Sequence, residues 1–119
     1  MHIESLGMRA LFLIPSTKVF GMRDGDSGHR MAKKIHDFLV ERFTGFTMAS
    51  GNICGYFEDN EYDEHREYRV AIQDDSGGTK LHLLQEFLAE ICAEIEEVCI
   101  YLEYGGEAML IYPKESRIV

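Results

Sequence analysis

The stretch from Gly21 to Lys34 gathers the residue types that can hold an anion. Its glycines leave backbone N–H groups accessible, and a helix that begins within it offers the positive end of its dipole. Two aspartates in the same loop would repel an anion, and the spacing matches neither GxxxxGK[ST] nor GxGxxG. A polar loop that leads into a capped helix is therefore the alternative interpretation. The candidate ligand-binding cations are Arg23, His29, Arg30 and Lys33.

A second candidate is the acidic segment from Glu58 to Glu67, which offers carboxylates and the imidazole of His65 to a divalent cation. The EF-hand pattern fails here, because Glu64 stands where that loop needs glycine and Val70 where it needs its last glutamate. The histidines form no HExxH pair. A charged connection that keeps a sheet edge hydrated explains the segment, so we predict no metal and no cofactor.

Covalent chemistry has little support in the sequence. There is no GxSxG motif, and neither Ser50 nor the cysteines have a base that the sequence identifies, so no catalytic residue is predicted. Tyrosines near the C-terminus combine apolar bulk with a hydroxyl group and could line a pocket. If the protein is an enzyme, we expect Tyr101, His29 and Glu103 to supply the polar groups of that pocket.

Length and composition predict one domain over residues 1–119. Hydrophobic residues make up 45% and charged residues 28% of the 119 residues, which is typical of a soluble globular protein with its own core. No stretch approaches the ~20 apolar residues that cross a bilayer, and because the first residues lack a basic run we expect no secretory leader. The three cysteines form no CxxC pair, so we expect free thiols in the cytoplasm.

The net charge of −9 disfavours nucleic acid and anionic membranes as partners, because both bind chiefly through lysine and arginine. The negative charge is compatible with a protein partner that has a basic surface.

These residues must be positioned by a regular set of elements. Met8–Ile14 predicts a central strand, because it is apolar on both sides of the pleat apart from one arginine. A helix ended by Gly45 follows, then a weaker strand over Phe46–Tyr56 and a third strand over Tyr68–Gln73. A second helix comes next, and a hairpin turning at two glycines ends the pattern. The apolar stripe of the second helix is Leu81, Leu84, Phe87, Leu88, Ile91, Cys92, Ile95 and Val98.

The order β-α-β-β-α-β-β predicts an α+β protein of the ferredoxin-like split β-α-β type (βαββαβ). It has an antiparallel sheet, two helices on one face and an extra C-terminal hairpin strand. Helices cover only one face, yet the strands carry apolar residues on both, so the open face is expected to form a homodimer. The expected interface residues are Leu11, Leu13, Ala71, Cys99, Tyr101, Met109 and Ile111.

Three functions are compatible with this pattern. The leading hypothesis is a non-catalytic binding or regulatory domain that acts as a homo-oligomer through its open sheet face. The first alternative is a small enzyme whose pocket forms between paired sheets. The second is an acidic inhibitor-like module that binds a basic protein. Element order alone does not decide among them, because one fold hosts many functions.

Overall fold

The computed structural model describes residues 1–16, 26–49, 54–55, 63–73 and 77–115, with only the backbone described for residues 26–29, 54–55 and 63. Apolar residues at spacings of three and four form the helices, and alternating apolar residues form the strands. The elements are β1 (Met8–Pro15), α1 (Asp26–Phe43), β2 (Thr47–Ala49), β3 (Cys54–Gly55), β4 (Asp63–Ile72), α2 (Thr79–Glu94), β5 (Ile100–Tyr104) and β6 (Glu107–Ile111).

The predicted α+β class is confirmed, with two helices and a five-stranded antiparallel sheet in the order β2-β4-β1-β5-β6. The short strand β3 pairs with β4 beside that path. As predicted, β1 is central, and Ala10, Phe12 and Ile14 are each 0% exposed. A strand that is apolar on both faces avoids the edge of a sheet because an edge position would leave it in water.

The chain divides into two compact units, one of Leu11–Val70 and the other of Met1–Ala10 with Ala71–Val119. In the first unit, α1 buries Ala32, Ile35, Leu39 and Phe43, whose spacings of three and four put them on one side of the helix. Each large apolar side chain buried this way contributes roughly 1.5–3 kcal/mol before chain entropy is counted. Packing on this side therefore holds the helix in place.

In the second unit, α2 packs on β5 and β6. Gln85 Nε2 lies 3.5 Å from Met109 Sδ, and the backbone N–H of Lys114 donates to the carbonyl of Ala89 at 3.0 Å. The buried residues of the helix are Leu84, Phe87, Leu88, Ile91 and Cys92. No helix in the described part of the chain is both long and apolar enough to cross a membrane.

Both predicted helix ends need correction. The second helix ends at Glu94, not at Val98, and Glu96 follows with φ of 56°. Val98 is 53% exposed because it lies beyond the last helical turn. In the first helix, Thr44 takes the left-handed position with φ of 64°, which the sequence pattern assigns to Gly45.

The strands before the second helix also differ from prediction. The segment Phe46–Tyr56 holds two short strands, β2 and β3, and β4 begins at Asp63 instead of Tyr68. The charged start of β4 is a strand because its backbone pairs with β2 and with β3. Glu67 lies opposite Ala49 of β2, and Glu64 lies opposite Cys54 of β3. Backbone pairing outweighs the low strand propensity of charged side chains at this position.

Candidate functional site

The hairpin of β5 and β6 presents a polar pair on a largely apolar sheet face. Ile100 and Leu102 are buried, so the alternating residues Tyr101 and Glu103 point to the opposite face, where both are half-buried. Antiparallel register sets Leu110 beside Tyr101 and Ala108 beside Glu103. A phenol and a carboxylate therefore share one face with small and aliphatic neighbours.

The Tyr101 hydroxyl donates a hydrogen bond to the Glu103 carboxylate. Burial raises the pKa of Tyr101, and the negative charge of Glu103 and this hydrogen bond raise it further. The phenol consequently stays protonated at neutral pH, and the carboxylate keeps lone pairs for another donor. Together they suit a cation with an apolar or aromatic body, because an aromatic ring and a carboxylate both attract positive charge.

The same register corrects part of the predicted interface. Met109 lies opposite Leu102 and Ile111 opposite Ile100, so both lie on the face that carries the buried residues of β5. Leu110 is on the face of Tyr101 instead and is 38% exposed. The predicted assignment of β6 side chains to the two sheet faces was wrong. A shift of one residue in strand register moves every side chain to the opposite face.

The other predicted interface residues lie outside this pair. Leu11 is buried, whereas Leu13, Ala71 and Cys99 are half-buried. Burial within one copy does not test whether they contact a second copy, so their interface role stays a prediction.

The predicted anion site is only partly described. Arg23 lies outside the described residues, and only the backbone of His29 is described. Arg30 and Lys33 are exposed on α1, where Lys33 Nζ lies 2.5 Å from a carboxylate oxygen of Asp37 one turn on. This hydrogen bond raises the pKa of Lys33, and the carboxylate offsets much of the positive charge that an anion would need.

The structure brings together a second polar pair that the sequence did not reveal. His36 Nε2 lies 2.9 Å from the hydroxyl of Tyr68, whose side chain is fully buried and stacks on Phe12 at a centroid distance of 5.1 Å. The ring of Phe46 packs on the imidazole of His36, with a distance of 4.8 Å between the ring centroids. Burial lowers the pKa of His36 and raises that of Tyr68. The only sequence signal was that His36 follows the buried Ile35 on α1.

The described residues contain no group of three or more His, Cys, Asp or Glu side chains arranged to hold a metal ion. The predicted acidic segment is largely beyond what the structure describes, since residues 56–62 are outside it. Its last residue, Glu67, is bonded to Arg69 on β4, with Nε 2.7 Å from the carboxylate oxygen. That pairing gives Glu67 a structural partner.

Comparison with known proteins finds a similar fold in solved structures of an enzyme. No protein-family model and no curated protein sequence matches the chain. Among solved structures, the chain resembles a phage SAM lyase in its apo state, with a TM-score of 0.59, 8% identity and 98% of both chains covered. It also resembles a phage SAM lyase in complex with S-methyl-5'-thioadenosine, at a TM-score of 0.50, 10% identity and 98% coverage of both chains. At these identities the likeness shows a shared fold.

These neighbours correct the leading functional hypothesis. A non-catalytic binding or regulatory domain was predicted because the sequence holds no catalytic motif. Both of these solved structures, which match 98% of the chain, are of an enzyme, and this contradicts the predicted non-catalytic domain.

Proposed function

We propose that the protein is an enzyme that acts on S-adenosylmethionine, with its site on the β5–β6 face around Tyr101 and Glu103. The observation that carries the proposal is the likeness to phage SAM lyase over 98% of both chains. The phenol–carboxylate pair on that face gives the proposal a chemical basis, because the substrate is a cation with an aromatic base.

The reaction class is cleavage of a carbon–sulfur bond. The electron pair of the bond between sulfur and the four-carbon amino-acid chain moves to the sulfonium sulfur, which leaves as neutral S-methyl-5'-thioadenosine. The carbon fragment balances this loss either by releasing a proton from the adjacent carbon to water or by closing its own carboxylate oxygen onto the carbon that leaves sulfur. Neither course needs an oxidant, a reductant or a second substrate.

The charge changes in this reaction indicate what each side chain does. The sulfonium loses its positive charge as the bond breaks, so a carboxylate placed on sulfur would stabilise the substrate more than the transition state. Glu103 serves the reaction better by binding the substrate ammonium group, which keeps its charge throughout. The ring of Tyr101 then packs against the adenine base.

The pocket needs a second wall, and we propose that a second copy supplies it. Leu110 is 38% exposed beside Tyr101, and stacking two β5–β6 faces would remove both side chains from water. A homodimer of this kind would enclose Tyr101 and Glu103 between paired sheets.

The first test is incubation of the protein with S-adenosylmethionine, with S-methyl-5'-thioadenosine followed by chromatography and a protein-free blank subtracted. We expect formation above the blank. We expect Glu103→Gln to raise KM by about 10- to 100-fold with a smaller change in kcat, because a hydrogen bond to a charged group contributes roughly 1.5–3 kcal/mol to binding.

The matched control is Glu86→Gln, which removes the same charge from an α2 residue that is 61% exposed and bonded to His82. Its kinetics should equal those of the unaltered protein. The enzyme proposal is wrong if the unaltered protein forms no S-methyl-5'-thioadenosine above the blank. Equal kinetics for Glu103→Gln and Glu86→Gln would leave the enzyme and reject Glu103 as a binding residue.

We also propose the ferredoxin-like arrangement for the sheet, with β6 as the added hairpin strand and the whole chain as one domain. The strand order β2-β4-β1-β5 supports it, because a split β-α-β fold places its first strand between the third and the fourth of its four strands. A cytoplasmic location is supported by Cys92 and Cys99, which carry thiols and no disulfide.

A further inference from the structure

The N-terminal segment Met1–Gly7, here called the arm, carries three large apolar side chains that the described residues leave exposed. Every residue from Met1 to Arg9 is exposed, and Ile3 and Leu6 are 78% and 65% exposed. Three large apolar side chains within six residues at this exposure leave several hundred Å² of apolar surface in water, which is typical of a surface that binds another.

The root of the arm is fixed. Gly7 has φ of 102°, and a Cβ at this position would lie 2.2 Å from the carbonyl oxygen of Ile72, so its backbone is pressed against the end of β4. The terminal methyl of Met8 lies 3.8 Å from the place of a Cβ on Gly105, in the β5–β6 turn. The arm therefore leaves the fold from a defined point beside this turn.

The same unit offers a complementary surface at β6. This strand ends the sheet order among the described residues, so the hydrogen-bonding groups on its outer side have no strand beside them there. Leu110 and Tyr112 are 38% and 55% exposed along it. An extended apolar segment would pair with this edge and cover both side chains.

The arm cannot use the full edge of its own β6. At ~3.3 Å per residue, its first six residues reach about 20 Å, and β6 is about 17 Å long. Crossing from β1 past β5 and β6 to the outer side of β6 takes three strand spacings, about 14 Å, and this uses most of the reach. An arm that binds β6 of a second copy does not have to cross its own sheet. Each copy has one arm and one β6 edge, so every arm can find an edge.

We propose that Met1–Leu6 of one copy binds along β6 of a second copy as an added strand. This inference goes beyond the proposed enzyme function and does not depend on it. It predicts self-association that requires the arm and protects the β6 amides.

The test measures mass by light scattering behind a sizing column, at two concentrations of the full chain. The unaltered protein should assemble as concentration rises, and the double variant Ile3→Asp, Leu6→Asp should raise the apparent dissociation constant by at least about tenfold. Val40→Asp is the matched control, because Val40 is 53% exposed on α1 and far in sequence from both partners. It should assemble like the unaltered protein.

Hydrogen exchange of the β6 amides gives a second readout. We expect protection at Ala108, Leu110 and Tyr112 to rise with concentration in the unaltered protein and to stay low in the arm variant. A monomer at both concentrations, an arm variant that assembles normally, or assembly with no added protection of β6 would each overturn the proposal. The second of these would indicate that stacked sheet faces alone hold the copies together.

Discussion

At the scale of single residues, Tyr68 shows how a polar group is accommodated in the core. Its side chain is fully buried, and a buried hydroxyl without a partner costs on the order of 1–3 kcal/mol. His36 removes that cost through the 2.9 Å hydrogen bond, while Phe12 stacks on the phenol ring. Either group can donate in this bond, but burial makes the charged form of the imidazole less stable than the neutral form. Charge on His36 and stability of the fold are therefore linked.

The link gives a pH dependence with a definite sign. Burial lowers the pKa of His36 below its ordinary 6.5. In the unfolded chain the imidazole takes up its proton near pH 6.5, but the folded protein resists until a lower pH, so the unfolded state binds more protons between the two values. The contribution is fully present above pH 6.5 and is lost as pH falls through the folded pKa.

We expect urea unfolding to show this as a free energy of unfolding that decreases from pH 8 to pH 5.5. In His36→Gln the decrease should be smaller, because the titrating group is gone. His2→Gln is the control, since it removes a histidine whose side chain is exposed outside the helices and strands. If His36→Gln and the unaltered protein lose stability in parallel, the link to His36 is wrong.

At the scale of elements, backbone conformation decides which glycines are required. Gly106 has φ of 80° in the β5–β6 turn, with nothing within 4 Å of a Cβ, so alanine there meets strain without a clash. Gly7 has both a positive φ and the carbonyl of Ile72 in the way. Gly45 has neither, because Thr44 holds the left-handed position after α1.

Alanine substitutions at the three sites should therefore rank in order of cost. Gly45→Ala should be neutral or stabilise by up to about 1 kcal/mol through the unfolded state. Gly106→Ala should cost roughly 1–2 kcal/mol, and Gly7→Ala more than about 2 kcal/mol. Thermal and urea unfolding measure the series. A cost for Gly45→Ala that equals that of Gly106→Ala would contradict the assignment of Thr44.

At the scale of the whole molecule, the two compact units raise the question of cooperativity. The strands β1 and β4 each contribute residues to both units, since the division falls at Ala10 and at Val70. If one unit unfolded alone, β1 and β4 would each have to unfold over only part of their length. We therefore expect the single domain proposed above to unfold in one step.

The measurement is urea unfolding followed residue by residue by NMR. Methyl signals of Leu39 on α1 and Leu88 on α2, both fully buried, report on different units. Their folded signals should disappear at the same urea concentration. Midpoints that separate beyond experimental error would show two independent domains in place of one.

Part of the candidate site could be predicted from the sequence. Tyr101, His29 and Glu103 were expected as the polar groups of a pocket, and the structure puts Tyr101 and Glu103 on one face of β5. The face itself was assigned wrongly for Met109 and Ile111, since register across the hairpin is not visible in periodicity. The pair of His36 with Tyr68 could not be found, because its two residues are 32 positions apart.

The sequence by itself determined the α+β class, the central place of β1 and the existence of both helices. Those features follow from hydrophobic period, which depends only on near neighbours along the chain. Only the tertiary structure decided where α2 ends, that charged residues before Tyr68 join β4, and which face Leu110 takes. Each of these depends on backbone pairing or packing between distant segments, and these contributions outweigh local preference.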